Sequence, residues 1–413
     1  MIMNKAKFIT LDNGLTILIY TDYSKTTNHV ELYNFFGGNY TDYVDYTGSK
    51  KKIKDGSAHL LEHYVCENTI DGNLIDNLRK NNILSCNAGT NSETTSYYFN
   101  TVNNFYECLE VFLNGIYNVV FTRERLNKTK MAIFSEIRDE KNDVRKKIIF
   151  KKLGGLFSIN RKTLGSKSSV DNITINELKN IYDSIYIPCN QFLVVAGNFD
   201  YEKVLNIIKK FYDNMNFKCN RILPRIIDKK EIVKKNTVYN SDLMDEVILS
   251  FKIDVSNLSS FDKYKLDWYL NFFLEINFSM YSKINEYINN DSNYIDDISG
   301  SLYHCNGYYV IDVIAFTSKI NEFENMVLST INNRNIEEKE LFELAKKNAI
   351  THISVRKDSI CNYVSPIENN FILFGYAEED DIDVISSFNY DEYVKIINNI
   401  DFSNYCVFYR KNK

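Results

Sequence analysis

His59-Leu60-Leu61-Glu62-His63 places two of the chain's five histidines four residues apart, with a glutamate between them. On an α-helix, residues i and i+4 lie one above the other on the same face, so both imidazoles can reach one metal ion. Glu62 falls at the rim of that face, beside any metal-bound water. The order is H-x-x-E-H, the reverse of the commoner H-E-x-x-H zinc signature. A chain of this composition would carry it by chance in about 0.004 of cases, so it is read as a site.

The flanking sequence supplies a frame for that helix. Residues 8–11 and 15–20 read as strands around the turn Asp12-Asn13-Gly14, and residues 29–36 alternate as a third strand. A polar stretch runs to Gly56, and Ser57 is placed to cap the histidine helix. Residues 84–90 and 94–101 read as two further strands. Apolar spacing predicts helices over 105–117 and 122–137, and Thr174-Ile175-Asn176-Glu177 has the spacing of a capping box. A buried strand follows Pro188.

The end of the chain repeats its middle. The run Glu177–Tyr182 leads into 190–195 much as 391–397 leads into 404–409: a helix, a polar turn and a terminal strand. The 413 residues exceed one ordinary core. The expected organisation is two α+β domains related by duplication, at 1–215 and 236–413, with a linker at 216–235. The second carries no comparable cluster, because His304 and His352 stand apart.

Composition narrows the class. Hydrophobic residues make up 44% and charged residues 25%, as in globular proteins. A net charge of −5 with interspersed signs offers no footprint for nucleic acid. Lys50-Lys51-Lys52 with Lys54 reads as a solvated loop rather than a phosphate site. The eight cysteines form no C-x-x-C pair and are expected to be reduced thiols, with Cys66 packing on the histidine helix. No apolar leader core precedes the first strand, and no run approaches the roughly 18 apolar residues of a membrane span. A cytoplasmic protein is expected.

Zinc bound by three protein groups keeps a position for water and lowers its pKa. His59 and His63 supply two ligands, and a third, anionic ligand must come from elsewhere. Glu136 is the best candidate because its helix must pack an apolar face on the core; Glu140, one turn on, is an alternative by spacing. Glu62 suits a general base that takes the water's proton.

Gly56-Ser57-Ala58 with the five residues that follow, Asn87-Ala88, residues 95–99, residues 121–126 and Ser135-Glu136-Ile137 resemble the pitrilysin/insulinase (M16) family of zinc peptidases, and its processing-peptidase branch (M16B) in particular. Residues 11–15, Tyr186-x-Pro188-x-Asn190 and 195–198 are similar to that branch too. Met280-Tyr281 through Glu286, then Ile295-Asp296-Asp297, resemble the family's inactive repeat.

The resemblance implies two homologous α/β-roll domains, each a mainly antiparallel sheet packed with helices, in the LuxS/metallohydrolase-like M16 fold. It implies His59, His63 and Glu136 as zinc ligands and Glu62 as the base. It implies that Asn87, Ala88 and Gly89 form the edge strand on which a peptide substrate pairs. A homodimer, or a heterodimer with an M16 homologue, is the expected assembly. The expected activity is zinc-dependent endopeptidase action on peptides or unfolded segments. The alternatives are the catalytic subunit of a heterodimer maturing one dedicated peptide, such as a bacteriocin or signal precursor, and a non-catalytic structural subunit. Two positions depart from the family pattern. Thr129 stands where many members carry a supporting glutamate, and the strand at 307–316 offers no substrate-holding Arg.

Overall fold

In the computed structural model, which describes residues 6–81, 83–213, 226–279, 282–291, 295–333, 339–376 and 381–412, the histidine helix lies against a six-stranded sheet. The strands of the first half are β1 (Lys7–Thr10), β2 (Thr16–Thr21), β3 (Asn28–Asn34), β4 (Asp42–Val44), β5 (Lys50–Lys52), β6 (Ser85–Thr90), β7 (Thr95–Thr101) and β8 (Gln191–Gly197). The helices are α1 (Ser57–Glu67), α2 (Leu74–Arg79), α3 (Phe105–Tyr117), α4 (Arg123–Glu140), α5 (Val144–Leu156), α6 (Lys167–Asp171), α7 (Ile175–Ile185) and α8 (Tyr201–Asp213). The sheet order is β1-β2-β8-β3-β7-β6, with β2 and β8 parallel and the other pairs antiparallel. The run Phe192-Leu193-Val194-Val195-Ala196 is fully buried, as expected of an interior strand covered on both faces. In β3, Val30 and Leu32 enter the main core, so the alternating residues His29, Glu31 and Tyr33 lie on the other face.

The remaining elements are β9 (Asn236–Ser241), β10 (Glu246–Asp254), α9 (Ser260–Phe278), α10 (Lys283–Asp291), β11 (Asp296–Cys305), β12 (Tyr308–Phe316), α11 (Ile320–Asn333), α12 (Lys339–Arg356), α13 (Ile360–Phe374), α14 (Asp381–Ser387), α15 (Tyr390–Asn398) and β13 (Tyr405–Asn412). Their sheet runs β11-β12-β10-β13-β9, with β13 and β9 parallel. Read from its other end, this repeats the strand directions of β2-β8-β3-β7-β6. The mixed α and β content and the repeated sheet give the two-domain α+β fold expected from the sequence.

The chain divides into two compact units that are discontinuous in sequence. The first comprises Met1–Asn142, Arg161–Ile226 and Ser359–Glu368; the second comprises Asp143–Asn160, Ile227–Asp358 and Asn369–Lys413. Thus α5 counts with the second unit and the start of α13 with the first, whereas the sequence division at 1–215 and 236–413 follows chain order. Residues 216–225 of the expected linker, and Met280-Tyr281 of the repeat motif, lie outside the described residues.

Several local expectations change. The cap of α1 is Gly56, not Ser57, and its φ of 85° is left-handed. A Cβ there would sit 2.7 Å from the Leu164 carbonyl oxygen, so a tertiary approach, not a hydroxyl cap, sets where the helix begins. The lysine-rich stretch forms the short hairpin β4–β5, with Lys50 and Lys52 paired to Asp42 and Lys51 to Asp45. Cys189 is disulfide-bonded, which corrects the expectation of eight thiols; spacing along a chain does not record pairings made by tertiary proximity. Cys66 is a buried thiol whose pKa burial pushes up. The capping box at Thr174 and Glu177 forms as expected.

Candidate metal centre

α1 presents one face to the core and another to α4. Leu60, Leu61, Tyr64 and Val65 are fully buried in the first unit's core. The 3.6-residue period then turns His59 and His63 onto a common flank, with ring centroids 4.7 Å apart. The same helix ties itself to α4. The Tyr64 hydroxyl donates to the Val120 carbonyl at 2.9 Å and accepts from the Thr122 amide at 2.9 Å. Thr122 is the N-cap of α4. Arg125 reaches the Asn68 and Thr69 carbonyls just past the end of α1. On α4, Lys130 is buried and donates to the Asp171 and Ile173 carbonyls at 2.6 and 2.7 Å, and burial pulls its pKa down.

This docking fixes the register of Glu136. His59 Nε2 lies 3.5 Å from Glu136 Oε2, and His63 Nε2 lies 3.3 Å from Glu136 Oε1. Both histidines therefore meet a single carboxylate, that of Glu136 rather than Glu140. For metal–ligand bonds of about 2.0–2.2 Å, neighbouring ligand atoms of a tetrahedral site stand about 3.4 Å apart. Two imidazole nitrogens and one carboxylate oxygen are also a donor set that zinc accepts. The residues present fit the ion. The Glu136 side chain is 41% exposed, so the face beyond the cluster is open.

Glu62 sits deeper, 6% exposed, with Oε2 4.0 Å from His59 Nε2. Its Oε2 accepts a 2.7 Å hydrogen bond from the Thr90 hydroxyl. Burial pushes its pKa up; the Thr90 bond and the His63 charge oppose this, and the nearby Glu136 charge adds to it. That is the direction a proton-accepting carboxylate needs to work near neutrality.

Thr90 closes β6, which among the described residues is an edge strand of the sheet and pairs with β7 alone. Asn87, Ala88 and Gly89 lie on β6 opposite Tyr98, Tyr97 and Ser96. Asn87 and Gly89 are exposed, and a Cβ built on Gly89 meets nothing within 4 Å. The outer edge of β6 thus leads directly to the hydroxyl that holds Glu62.

Sequence reasoning missed Glu67. His63 Nδ1 lies 3.7 Å from Glu67 Oε1, and the Thr129 hydroxyl donates to Glu67 Oε2 at 2.6 Å. Thr129, read as the loss of a supporting glutamate, instead holds a glutamate supplied by α1 itself. Burial would raise the Glu67 pKa, but the His63 and Thr129 contacts and the Lys128 charge bring it below the usual range. For His63, burial lowers the pKa, and Glu67, Glu62 and Glu136 raise it on balance. The available signal was the i+4 spacing from His63 to Glu67. Arg161 was also missed: it donates to Asp55, to the Tyr40 carbonyl and, at 2.9 Å, to the Ile53 carbonyl, clamping the segment that enters α1.

The family description "Insulinase (Peptidase family M16)" matches residues 46–158, and "Peptidase M16 inactive domain" matches residues 172–349. The chain belongs to the M16 peptidase family. Among curated M16 relatives, an uncharacterized zinc protease, YmfH of Bacillus subtilis, is 25% identical over 46% of this chain and 44% of its own length. The mitochondrial-processing peptidase subunit beta of Neurospora crassa is 23% identical over 51% of this chain and 44% of its own. The match thus spans less than half the length of these relatives. The fold agrees with an M16-like peptidase of Alicyclobacillus acidocaldarius at TM-score 0.87 and 18% identity, covering 100% and 99% of the two chains. A Helicobacter pylori protease superposes at TM-score 0.79 and 16% identity, covering 99% of each.

Proposed function

We propose that this M16 chain is a zinc metalloendopeptidase cutting peptides or unfolded segments. The observation that carries the reading is the convergence of His59, His63 and Glu136 beside a buried Glu62, which is hydrogen-bonded to the end of an open edge strand. Zinc, when bound, would supply Lewis-acid polarisation and a more acidic water. His59, His63 and Glu136 would hold it.

The chain's own residues supply the rest. β6 offers unpaired backbone groups at 87–89, so an extended peptide adds there as a further strand, with little demand on side chains. Glu62 takes the proton of the attacking water and passes it to the leaving amine. Thr90 pins one Glu62 oxygen and leaves the other for that exchange. Glu67 orients His63 through Nδ1 and is itself held by Thr129.

One specific observation favours a second reading, in which the chain is the catalytic subunit of a pair: a relative carries the name of a processing-peptidase subunit. Either way the chain is proposed to act as a dimer, with itself or with an M16 homologue. Light scattering of the chain alone, and mixed with a homologue, separates the two. Cytoplasmic residence is the matching proposal, supported by the six free thiols among the described residues. Among the described residues no helix is long and apolar enough to cross a membrane.

The deciding experiment compares wild type with Glu62→Gln on a quenched peptide library. The variant is expected to keep zinc and lose cleavage. Equal cleavage by the two proteins would sink the assignment of Glu62.

A further inference from the structure

On the opposite face of the first unit's sheet from its core, a second cluster repeats the ligand spacing of the first. The strand β3 alternates, so His29 and Glu31 project from the same face. Glu368, from the first turns of α13, joins them. His29 Nε2 lies 3.6 Å from Glu31 Oε2 and 3.6 Å from Glu368 Oε1, and the three ligand atoms all fall within 4.8 Å of one another. We infer that His29, Glu31 and Glu368 form a second divalent-metal site, of the zinc class, that fastens residues 359–368 to the sheet.

Four observations carry this. The first is spacing: 3.6 Å is too long for a good N–H···O bond, yet close to the roughly 3.4 Å ligand separation around a tetrahedral ion. The His59, His63 and Glu136 contacts, at 3.3 and 3.5 Å, have the same spacing.

The second is the orientation of the imidazole. Asn100 Nδ2 donates to the Ser85 hydroxyl at 2.9 Å, which sets the amide so that its Oδ1 accepts from His29 Nδ1 at 2.9 Å. The Cys361 thiol donates to the same Oδ1. With the proton on Nδ1, Nε2 turns a lone pair towards two carboxylates. Such an arrangement calls for a positive centre between them, a metal ion or a second proton on Nε2. An Nδ1–H held by a protein oxygen is also how metal-bound histidines are oriented.

The third is an unmet acceptor. Glu368 is 2% exposed, and its Oε1 has no hydrogen-bond partner. A buried carboxylate oxygen in that state is costly, and a metal ion would satisfy it. Its other oxygen is held by the Tyr33 hydroxyl at 2.9 Å, leaving Oε1 aimed at His29.

The fourth is charge. Two carboxylates and a neutral imidazole sum to −2, the complement of one divalent ion. Among the described residues, no lysine or arginine pairs with either carboxylate. A pocket of that charge takes up a cation, and a metal ion competes with a second imidazole proton for Nε2. One imidazole nitrogen with two carboxylate oxygens suits zinc or manganese better than calcium.

The test uses the full chain with His59→Ala and His63→Ala, which removes the first cluster and makes the result independent of the peptidase reading. After loading with zinc or Co(II) and dialysis, this variant is expected to keep one ion per chain, with a Co(II) ligand-field spectrum. Adding Glu368→Gln, or separately the milder Glu31→Gln, abolishes both the ion and the spectrum while circular dichroism stays native. A native His59→Ala/His63→Ala protein that binds no ion at saturating zinc, with an imidazolium at His29 by NMR, overturns the inference in favour of a proton-bridged triad. An ion that survives both glutamate substitutions overturns it as well.

Discussion

The five-strand order of the second unit's sheet recurs in the first, which adds β1 at one edge, yet among the described residues only the first unit gathers metal-binding side chains on its leading helix. In the first unit, α1 meets α4 through His59, His63 and Glu136. In the second, the helices in the corresponding places are α9 and α12. They meet through a neutral-donor hydrogen bond, Asn348 Nδ2 to Glu275 Oε1, at 2.7 Å. The contact between helix and edge strand differs in the same way. α1 reaches β6 through Glu62 and Thr90, whereas α9 reaches β11 through Asp267 and His304, 3.0 Å apart. Around that pair α9 is filled with Tyr269, Leu270, Phe273 and Leu274, all buried. α1 buries Leu60, Leu61, Tyr64 and Val65 in the same spacing, so the two helices share their apolar face and differ in the flank beside it, where α1 carries His59 and His63.

The contrast can be broken most directly by substituting one glutamate on each of these helices. Glu62→Gln should lower peptide turnover by roughly 10²–10⁴-fold, the usual contribution of a general base. Glu275→Gln should leave turnover within about twofold, as expected of a single hydrogen-bond change away from a site. A comparable loss in both, in steady-state assays at saturating zinc, would show that the second unit takes part in the chemistry.

Metal removal sharpens the same contrast. An ion held at a hundred times its Kd stabilises the unit that binds it by about 3 kcal/mol. Chelation should therefore speed hydrogen exchange in peptides covering α1 and α4 and leave those covering β10 and β12 unchanged. Uniform deprotection would contradict a site confined to the first unit.

Next in size is the support of His63. Glu67→Ala should weaken zinc binding by about 10–100-fold, the usual cost of losing a partner behind a ligand. Competition with a chelating dye measures it. Thr129→Val should act in the same direction and less strongly, because it removes only the donor that holds Glu67.

The smallest effect belongs to the second unit. Asp228 accepts hydrogen bonds from the Ser158 hydroxyl at 2.6 Å and the Ile159 amide at 2.7 Å. Burial would raise its pKa, but these donors, the Lys229 amide and the Lys252 charge hold it below 3.8. A depressed carboxylate contributes stability above its ordinary pKa and loses it as pH falls through the folded value. Asp228→Asn should thus cost about 1–2 kcal/mol at neutral pH and less in acid below that value. Denaturant melts at neutral and acid pH, with peptidase activity as a control for the first unit, give the comparison.

Much of this was legible in the residues, for identifiable reasons. The capping box of α7, the cap of α4 at Thr122 and the turn before β2 are interactions between near neighbours, so their spacing records them. The hairpin β4–β5 and helices α5, α13 and α14 were not read, and Pro366 inside α13 argues locally against a helix that the structure contains. Gly56 displaced Ser57 as the cap because Leu164 and Val170 approach from far along the chain.

By itself the sequence determined that one helix would present His59, Glu62 and His63 together, because a helical period converts a spacing of four residues into a shared face. Only the tertiary structure decided what surrounds them: Glu136 rather than Glu140 at both imidazoles, Glu67 with Thr129 behind His63, and Thr90 at the end of an open edge holding Glu62. The same holds for His29 and Glu31, whose alternation is written in β3 but whose third partner, Glu368, arrives from a distant helix. Local periodicity sets which side chains share a face; the packing of α1, α4 and α13 on the sheet sets which faces meet.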